Sequence, residues 1–120
     1  MELKKLLENK PKLKENLATY VLKSGVFNDL LKTGRKSAEQ IVLMKLEEKI
    51  YSMNEHEIIE YFDSTDFMSR VSWTLNLKTI EFHYVIEHRS NDYFIADGND
   101  FKTRKEATIE CAKKLIELSN

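Results

Sequence analysis

Glu81 and His83 are the two residues of this chain whose types and spacing come closest to those of a catalytic pair. Side chains two positions apart in a β-strand point to the same face, so a carboxylate and an imidazole would stand side by side for acid–base chemistry. A catalytic site would also need a pocket that joins this pair to another polar group, and no motif supplies one. We therefore predict no catalytic residue and expect a protein that is not an enzyme.

Metal chemistry has one candidate, the segment His-Glu-Ile-Ile-Glu from His56 to Glu60. A zinc helix of the HExxH type needs a second histidine at position 60, where this chain has glutamate. Cys111 lies among the apolar positions of a predicted helix, where a thiol packs as a small hydrophobe. We expect no metal site and no cofactor.

Basic residues that could contact phosphates occur at the start of the last predicted helix and further along it. A helix N-terminus attracts anions through its dipole and its unpaired N–H groups, and basic side chains add to that attraction. Nucleic-acid binding through this set is an alternative function for the chain. The residues are Lys102, Arg104, Lys105 and Lys113.

Lys32, Arg35 and Lys36 precede another predicted helix and are compatible with a helix-turn-helix motif. The helix that follows has a mixed and partly acidic surface, with Glu39 and Glu47, which DNA would repel. The pattern is more typical of a solvated helix surface.

Composition limits the classes of protein to consider. The chain has 120 residues, and 19 basic against 20 acidic residues leave a formal charge of −1, so no overall field attracts nucleic acid or anionic membranes. The longest apolar run, Ile41 to Met44, is far shorter than a membrane span needs. Charged residues interrupt the segment from Met1 to Leu7, which therefore lacks the continuous apolar stretch of a signal peptide. A single cysteine fits a reducing compartment, and we expect the cytoplasm of a bacterial host.

Apolar residues recur at three- and four-residue spacing in the first half of the chain, which predicts amphipathic helices. Ile41 and Met44 belong to the broad apolar stripe expected to be buried in the longest of them. Predicted helices cover residues 3–7, 11–23, 37–52 and 55–62. Capping boxes are predicted for Ser37 with Gln40, Asn54 with Glu57, and Thr103 with Glu106.

From Val71 the apolar period becomes two, which predicts strands with one buried face. That face would include Trp73 and Leu75. The aromatic rings of Trp73, Phe82, Tyr84 and Tyr93 belong to the core if helices cover them, and they could stack on bases if they are open. Predicted strands cover residues 71–77, 80–87 and 93–96, with a tight reversal at residues 78–79 and a second turn at residues 89–92.

These elements predict an α+β fold in which N-terminal helices precede a three-stranded antiparallel β-meander, and a C-terminal helix packs on the sheet. We expect a single domain, residues 1–120, with a helical half (1–62) and a βββα half (63–120). The oligomeric state stays open.

The segment from Gly98 to Leu115 resembles the end of a double-stranded-RNA-binding domain, with a glycine turn, a Thr103-Arg104-Lys105 helix start and a small residue at Ala107. That resemblance implies phosphate contacts at the helix start, although Thr108 stands where the family has another basic residue. The αβββα order and the Thr-x-x-Glu-Ala helix start also resemble small phage and prophage accessory proteins. This second resemblance implies structural fillers or inhibitors of host defence nucleases.

The outer face of the predicted sheet and its turns carry acidic residues that would suit a positively charged protein surface. We therefore expect a non-enzymatic protein-binding module, a phage or mobile-element protein that masks or inhibits a larger host partner, with nucleic-acid binding as the alternative. The candidate protein-binding residues are Glu81, His83, Glu87, Asp92, Asp97 and Asp100.

Overall fold

The computed structural model describes residues 1–90 and 93–119, and of Asn76 and Tyr93 it describes the backbone. Within these residues the chain divides into two compact units, residues 2–53 and residues 54–119. The helix that follows Asn54 therefore groups with the sheet, and the single-domain assignment stays a prediction. No helix in the described part of the chain is long and apolar enough to cross a membrane.

The first unit is built from helices. Pro11 occupies the first turn of the second helix, where its missing N–H leaves no hydrogen bond unmade. Gly25, with φ +85°, follows the end of that helix in the left-handed conformation. The helices are α1 (Leu3–Leu6), α2 (Pro11–Lys23), α3 (Asn28–Leu31) and α4 (Lys36–Tyr51).

The core of this unit lies between α2 and α4. One residue per turn of each helix is buried there, which accounts for the four-residue spacing. Ile41 and Met44 are exposed, so the prediction that they are buried is wrong. At about 100° per residue, Ile41 lies about 120° and Met44 about 180° around the helix from the centre of the buried row, so both lie away from α2. The buried residues are Leu13, Leu17 and Val21 on α2, and Ala38, Val42, Leu46 and Ile50 on α4.

Helix starts differ in how closely they follow the predicted capping boxes. Asn54 Oδ1 accepts a hydrogen bond from Glu57 N at 2.9 Å and the Glu57 carboxylate accepts one from Asn54 N, so this box is confirmed. Helix α4 begins one residue earlier than predicted, and its cap, Arg35, makes no side-chain hydrogen bond. The Ser37 box is therefore wrong, because Ser37 lies inside the first turn.

The second unit consists of α5 (Glu55–Asp63), β1 (Phe67–Asn76), β2 (Thr79–His88), β3 (Tyr93–Phe101) and α6 (Arg104–Leu118). The strands form one antiparallel sheet in the order β1-β2-β3, and α6 packs on all three of them. The predicted α+β architecture is confirmed. Strand β1 begins four residues before the predicted start, and β3 extends to Phe101 rather than ending near Ala96.

Small residues on α6 allow the helix to lie close to the sheet. Ala107, Cys111 and Leu115 are fully buried on this helix, and the central strand β2 contributes Tyr84 and Ile86 from the facing side. The opposite face of the sheet is the outer face.

Candidate functional site

The hairpin formed by β1 and β2 extends beyond the helix that covers the sheet. Trp73 lies opposite Phe82 in the strand register, on the face that carries α6. Arg104, the first residue of α6, has its guanidinium carbon 5.5 Å from the centroid of the Phe82 ring. It also donates a hydrogen bond to the carbonyl oxygen of Val71 at 3.5 Å. Helical cover therefore ends near the Trp73–Phe82 pair.

From the Trp73–Phe82 pair to the tip of the hairpin, four large apolar side chains are exposed to solvent. Trp73 is 57% exposed, Leu75 62%, Leu77 94% and Ile80 54%. Leu75 lies directly opposite Ile80, so three of the four lie close together on one face and Leu77 stands at the tip. We call these four residues the hairpin patch. The prediction that Trp73 and Leu75 belong to a buried face is wrong.

The turn at the hairpin tip holds a leucine in an unfavourable backbone conformation. Asn76 pairs with Thr79, so the turn consists of Leu77 and Lys78 rather than the predicted Lys78 and Thr79. Leu77 has φ +56°, a region that glycine occupies freely and that costs other residues about 1 kcal/mol or more. Its side chain is almost fully exposed, so packing within the chain does not offset this cost.

A cleft of about 420 Å³ opens on the same hairpin, where the side chains of Thr74, Glu81 and His83 lie on the face opposite the one that carries the hairpin patch. Glu81 lies opposite Thr74 in the register, and Thr74 Oγ1 is 3.4 Å from His83 Nδ1. The cleft thus joins Glu81 and His83 to further polar groups, as a binding or catalytic pocket requires. Its lining residues are Thr74, Leu75, Glu81, Phe82, His83, Asn99 and Asp100. We call it the hairpin cleft.

Asp100 reaches the cleft because of an irregularity in β3. The ladder between β2 and β3 slips by one residue between Phe82 and Tyr84, and within this bulge Asp100 takes φ +70°. Bulges re-aim side chains in this way, and aspartate tolerates the left-handed region better than most residues. The prediction that β3 ends before this point overlooked the bulge.

The electrostatic character of the hairpin cleft is negative. Glu81 and Asp100 carry its two carboxylates, and in the described part of the chain neither forms an ion pair with a lysine or arginine. Within residues 1–90 and 93–119 no group of three acidic, histidine or cysteine side chains is arranged to hold a metal ion. The cleft therefore offers hydrogen-bond acceptors to a cationic group.

The six candidate protein-binding residues do not form one cluster. Glu81, His83 and Asp100 line the hairpin cleft. Glu87 accepts a hydrogen bond from Arg70 at 3.1 Å. The remaining two are Asp97, which is exposed opposite Val85, and Asp92, which lies outside the described residues.

The four basic residues of the alternative function are partly brought together. Lys102, Arg104 and Lys105 are exposed around the start of α6. Lys113 lies further along the helix and pairs with Glu110 at 3.4 Å. The Arg104 guanidinium also lies over the Phe82 ring, so it is already held against the sheet.

Sequence reasoning missed the hairpin patch because the predicted strands were shorter than the observed ones. Ten residues in β2 span about 33 Å, whereas the fifteen residues of α6 span about 22 Å. A single helix of that length leaves part of such a hairpin uncovered, and the apolar residues there are then exposed.

A second groove, of about 300 Å³, lies within the helical unit between α2 and α4. Lys14 and Glu47 form an ion pair of 3.5 Å across it, and the Lys14 ammonium lies 5.1 Å from the centroid of the Tyr51 ring. A hydrogen bond to Tyr51 is the main cause that raises the pKa of Lys14; burial opposes it, and the Glu47 charge adds to the rise. The groove is therefore bridged by its own side chains.

No family model matches this chain, and neither a curated protein nor a solved structure matches it.

Proposed function

We propose that this chain is a non-enzymatic protein-binding module that docks on a larger partner through the hairpin patch. The observation that carries the proposal is the exposure of Trp73, Leu75, Leu77 and Ile80 beside one another on a projecting hairpin. Exposed apolar side chains that lie together commonly mark interaction sites, and tryptophan is one of the residues enriched among those that dominate binding energy.

The unfavourable backbone of Leu77 supports the same proposal. Leu77 is almost fully exposed and lies in the left-handed region, so it lowers the stability of the fold, and no packing of its side chain within the chain offsets that cost. Strain of this kind is found where a side chain serves an interaction. We propose that Leu77 inserts into a concave apolar surface of the partner.

The resemblance of the αβββα order to small phage and prophage accessory proteins supports a proposal for the biological setting. A module with an apolar projection on its β1–β2 hairpin suits a protein that masks or inhibits a larger host protein. We propose the bacterial cytoplasm as its compartment, in line with the single cysteine.

A comparative affinity capture tests the proposal. Wild-type protein and the Trp73→Ser/Leu77→Ser variant are immobilised and exposed to a bacterial lysate, with Met44→Ser as the matched control. Met44 is exposed and apolar but lies in the helical unit. We expect a protein that the wild type and the Met44 variant retain and the hairpin variant loses. Identical retention by all three proteins would overturn the proposal.

Nucleic-acid binding remains the second candidate, supported by the three exposed basic residues around the start of α6. An electrophoretic-mobility titration with duplex DNA, duplex RNA and single strands at low and high salt tests it. Salt-sensitive binding that the Arg104→Glu/Lys105→Glu variant loses would establish this function. No shift at micromolar protein would exclude it.

A further inference from the structure

We infer that two copies of this chain associate by pairing their β1 strands edge to edge, antiparallel, about a two-fold axis at Thr74. The inference goes beyond the proposed function, because it concerns the main-chain edge of the sheet and a second copy of the chain. The observations that carry it are the direction of the main-chain groups of β1 and the side chains that already occupy part of that edge.

Alternate residues of β1 direct their main-chain N–H and C=O groups away from β2. The order β1-β2-β3 leaves β1 at an edge of the sheet. Arg89 N donates to the carbonyl oxygen of Asp66 at 2.7 Å, and every second residue from such a bonded pair faces the neighbouring strand. Even-numbered residues of β1 therefore bond to β2, and odd-numbered residues direct their groups to the open edge.

The first part of this edge is occupied by side chains of the chain itself. The main-chain N–H of Ser69 donates a hydrogen bond to the Asp63 carboxylate. The carbonyl oxygen of Val71 accepts one from the Arg104 guanidinium at 3.5 Å. Both contacts involve odd-numbered residues of β1, in agreement with the direction of the ladder. An added strand therefore cannot run along the whole of β1 without displacing them.

Trp73 and Leu75 lie on the part of the edge that stays open. In residues 1–90 and 93–119 no side chain bonds to the edge-directed N–H or C=O group of either residue. The two residues are two positions apart, so Trp73 of each copy can lie opposite Leu75 of the other. Each of these pairs then exchanges both N–H···O hydrogen bonds, and Thr74 lies opposite Thr74 of the second copy at the axis.

This register favours a second copy over a long strand of another protein. It places Leu77 of the second copy opposite Val71, and the second copy's chain turns away at Leu77 and Lys78. The added strand therefore ends before it reaches Ser69, where Asp63 occupies the edge. A longer strand would have to displace that carboxylate.

The β1 edge also lacks the features that commonly keep sheet edges apart, which are charges, proline and bulges. Residues 71–77 include no charged residue, proline or glycine, and β1 pairs with β2 without a bulge. No like charges would therefore face each other across the axis. The other edge strand, β3, has register shifts and carries Asp97 and Asp100. Self-pairing is accordingly open to β1 and disfavoured at β3.

Such a dimer would unite the two hairpin patches. Residues that lie opposite each other in an antiparallel pair point to the same face of the sheet. Trp73 and Leu75 of both copies would therefore form one continuous apolar surface on the face that carries α6.

The test uses charge variants at the proposed axis, studied in the full chain by sedimentation velocity. Wild type should show a monomer–dimer equilibrium at micromolar to millimolar protein. Thr74→Lys alone and Thr74→Glu alone should each dimerise roughly fivefold more weakly, because like charges then face each other, and an equimolar mixture should recover the wild-type affinity. Ser72→Lys is the matched control, since Ser72 lies on the same face of β1 but would face Asn76 of the second copy.

Hydrogen exchange of the ¹⁵N-labelled wild type gives a second readout that needs no variant. The amides of Trp73 and Leu75 should become protected as the protein concentration rises, whereas the Thr74 amide, which bonds to β2, should be protected throughout. A wild type that stays monomeric at millimolar concentration would overturn the inference. So would a mixture of the two charge variants that dimerises no better than either alone.

The affinity capture described above separates this inference from the proposed function. If wild type is monomeric and the Trp73→Ser/Leu77→Ser variant still loses a captured protein, the inference fails alone and the edge is left to a strand of that protein. If the dimer forms as expected but all three immobilised proteins retain the same lysate proteins, the proposed docking fails and the dimer stands.

Discussion

Gly98 lies directly opposite Tyr84 in the ladder between β2 and β3, and the space that a side chain would fill at Gly98 is occupied by the Tyr84 ring. The ring also stacks on Phe101, with centroids 5.9 Å apart and an interplanar angle of 23°. Burial raises the pKa of the Tyr84 hydroxyl. The glycine thus lets an aromatic ring lie across the strand backbone and fill the core beneath α6.

Replacing Gly98 with alanine should destabilise the fold. A methyl group there would overlap the Tyr84 ring, and a ring held beneath a helix cannot move away without disturbing its neighbours. We expect a loss of about 1–3 kcal/mol in the free energy of unfolding, measured by urea denaturation.

The control for this prediction is a double-mutant cycle. Tyr84→Leu removes the ring that the new methyl would meet, so Gly98→Ala should cost less in that background than in the wild type. Asp97→Ala, at an exposed neighbouring position on the same strand, should change stability little. Additive effects of the two substitutions would contradict the assigned contact.

The predicted architecture follows from hydrophobic periodicity, which is a local property of the chain. The change of apolar spacing from three and four to two near Val71 reports the change from helices to strands. Periodicity predicts the ends of the strands less well. Strand β1 begins at Phe67, where the apolar and polar residues do not yet alternate clearly. Pairing with β2, a tertiary interaction, extends that strand.

The candidate site is harder to predict from the sequence, because it depends on which part of the sheet a helix covers. The alternation through Trp73 and Leu75 is the same whether a helix lies over these residues or stops short of them. Asp100 lines the cleft because of a bulge in β3, and the residue pattern of β3 does not predict that bulge. Glu81 and His83 could be paired from their spacing, but their neighbours across the strands follow only from the register.

Helix capping gives a prediction with an internal control. Asn54→Ala should lower the free energy of unfolding by about 1 kcal/mol, because it removes the acceptor for Glu57 N at the start of α5. Ser37→Ala should have almost no effect or a slight stabilising one, since Ser37 lies within the first turn of α4 and does not cap it. Comparison of thermal or urea midpoints tests both. Equal losses would show that Ser37 is the cap of α4 after all.

Cys111 should resist thiol reagents in the folded protein. Its side chain is fully buried on α6, and burial raises the pKa of the thiol to about 11. At about pH 8 only about one molecule in a thousand would carry the reactive thiolate. We expect slow reaction with iodoacetamide under native conditions and rapid reaction in urea, followed by mass spectrometry.

Because the Cys111 thiol is buried, the folded protein should lose stability at alkaline pH. The folded thiol has a pKa above the ordinary value of 9.0, so its stabilising contribution is complete below that value and is lost as pH rises towards about 11. The free energy of unfolding of wild type minus that of Cys111→Ala should therefore fall as pH rises through this window. The Cys111 charge also raises the pKa of Tyr84, so both proteins carry Tyr84→Phe and the difference then reports the thiol. A constant difference would contradict the assignment.

Leu77 should show opposite effects on stability and on binding. Leu77→Gly relieves the positive φ at the hairpin tip and loses no packing, so we expect the free energy of unfolding to rise by about 0.5–1 kcal/mol. Leu77→Ala removes the side chain but keeps the strained backbone, so its stability should stay near that of wild type. Both variants should retain less of the captured partner. Because the two variants share the lost side chain and differ in strain, equal loss of binding with unequal stability would assign the leucine to docking. A gain in stability with full retention of the partner would instead show that the hairpin tip does not take part in docking.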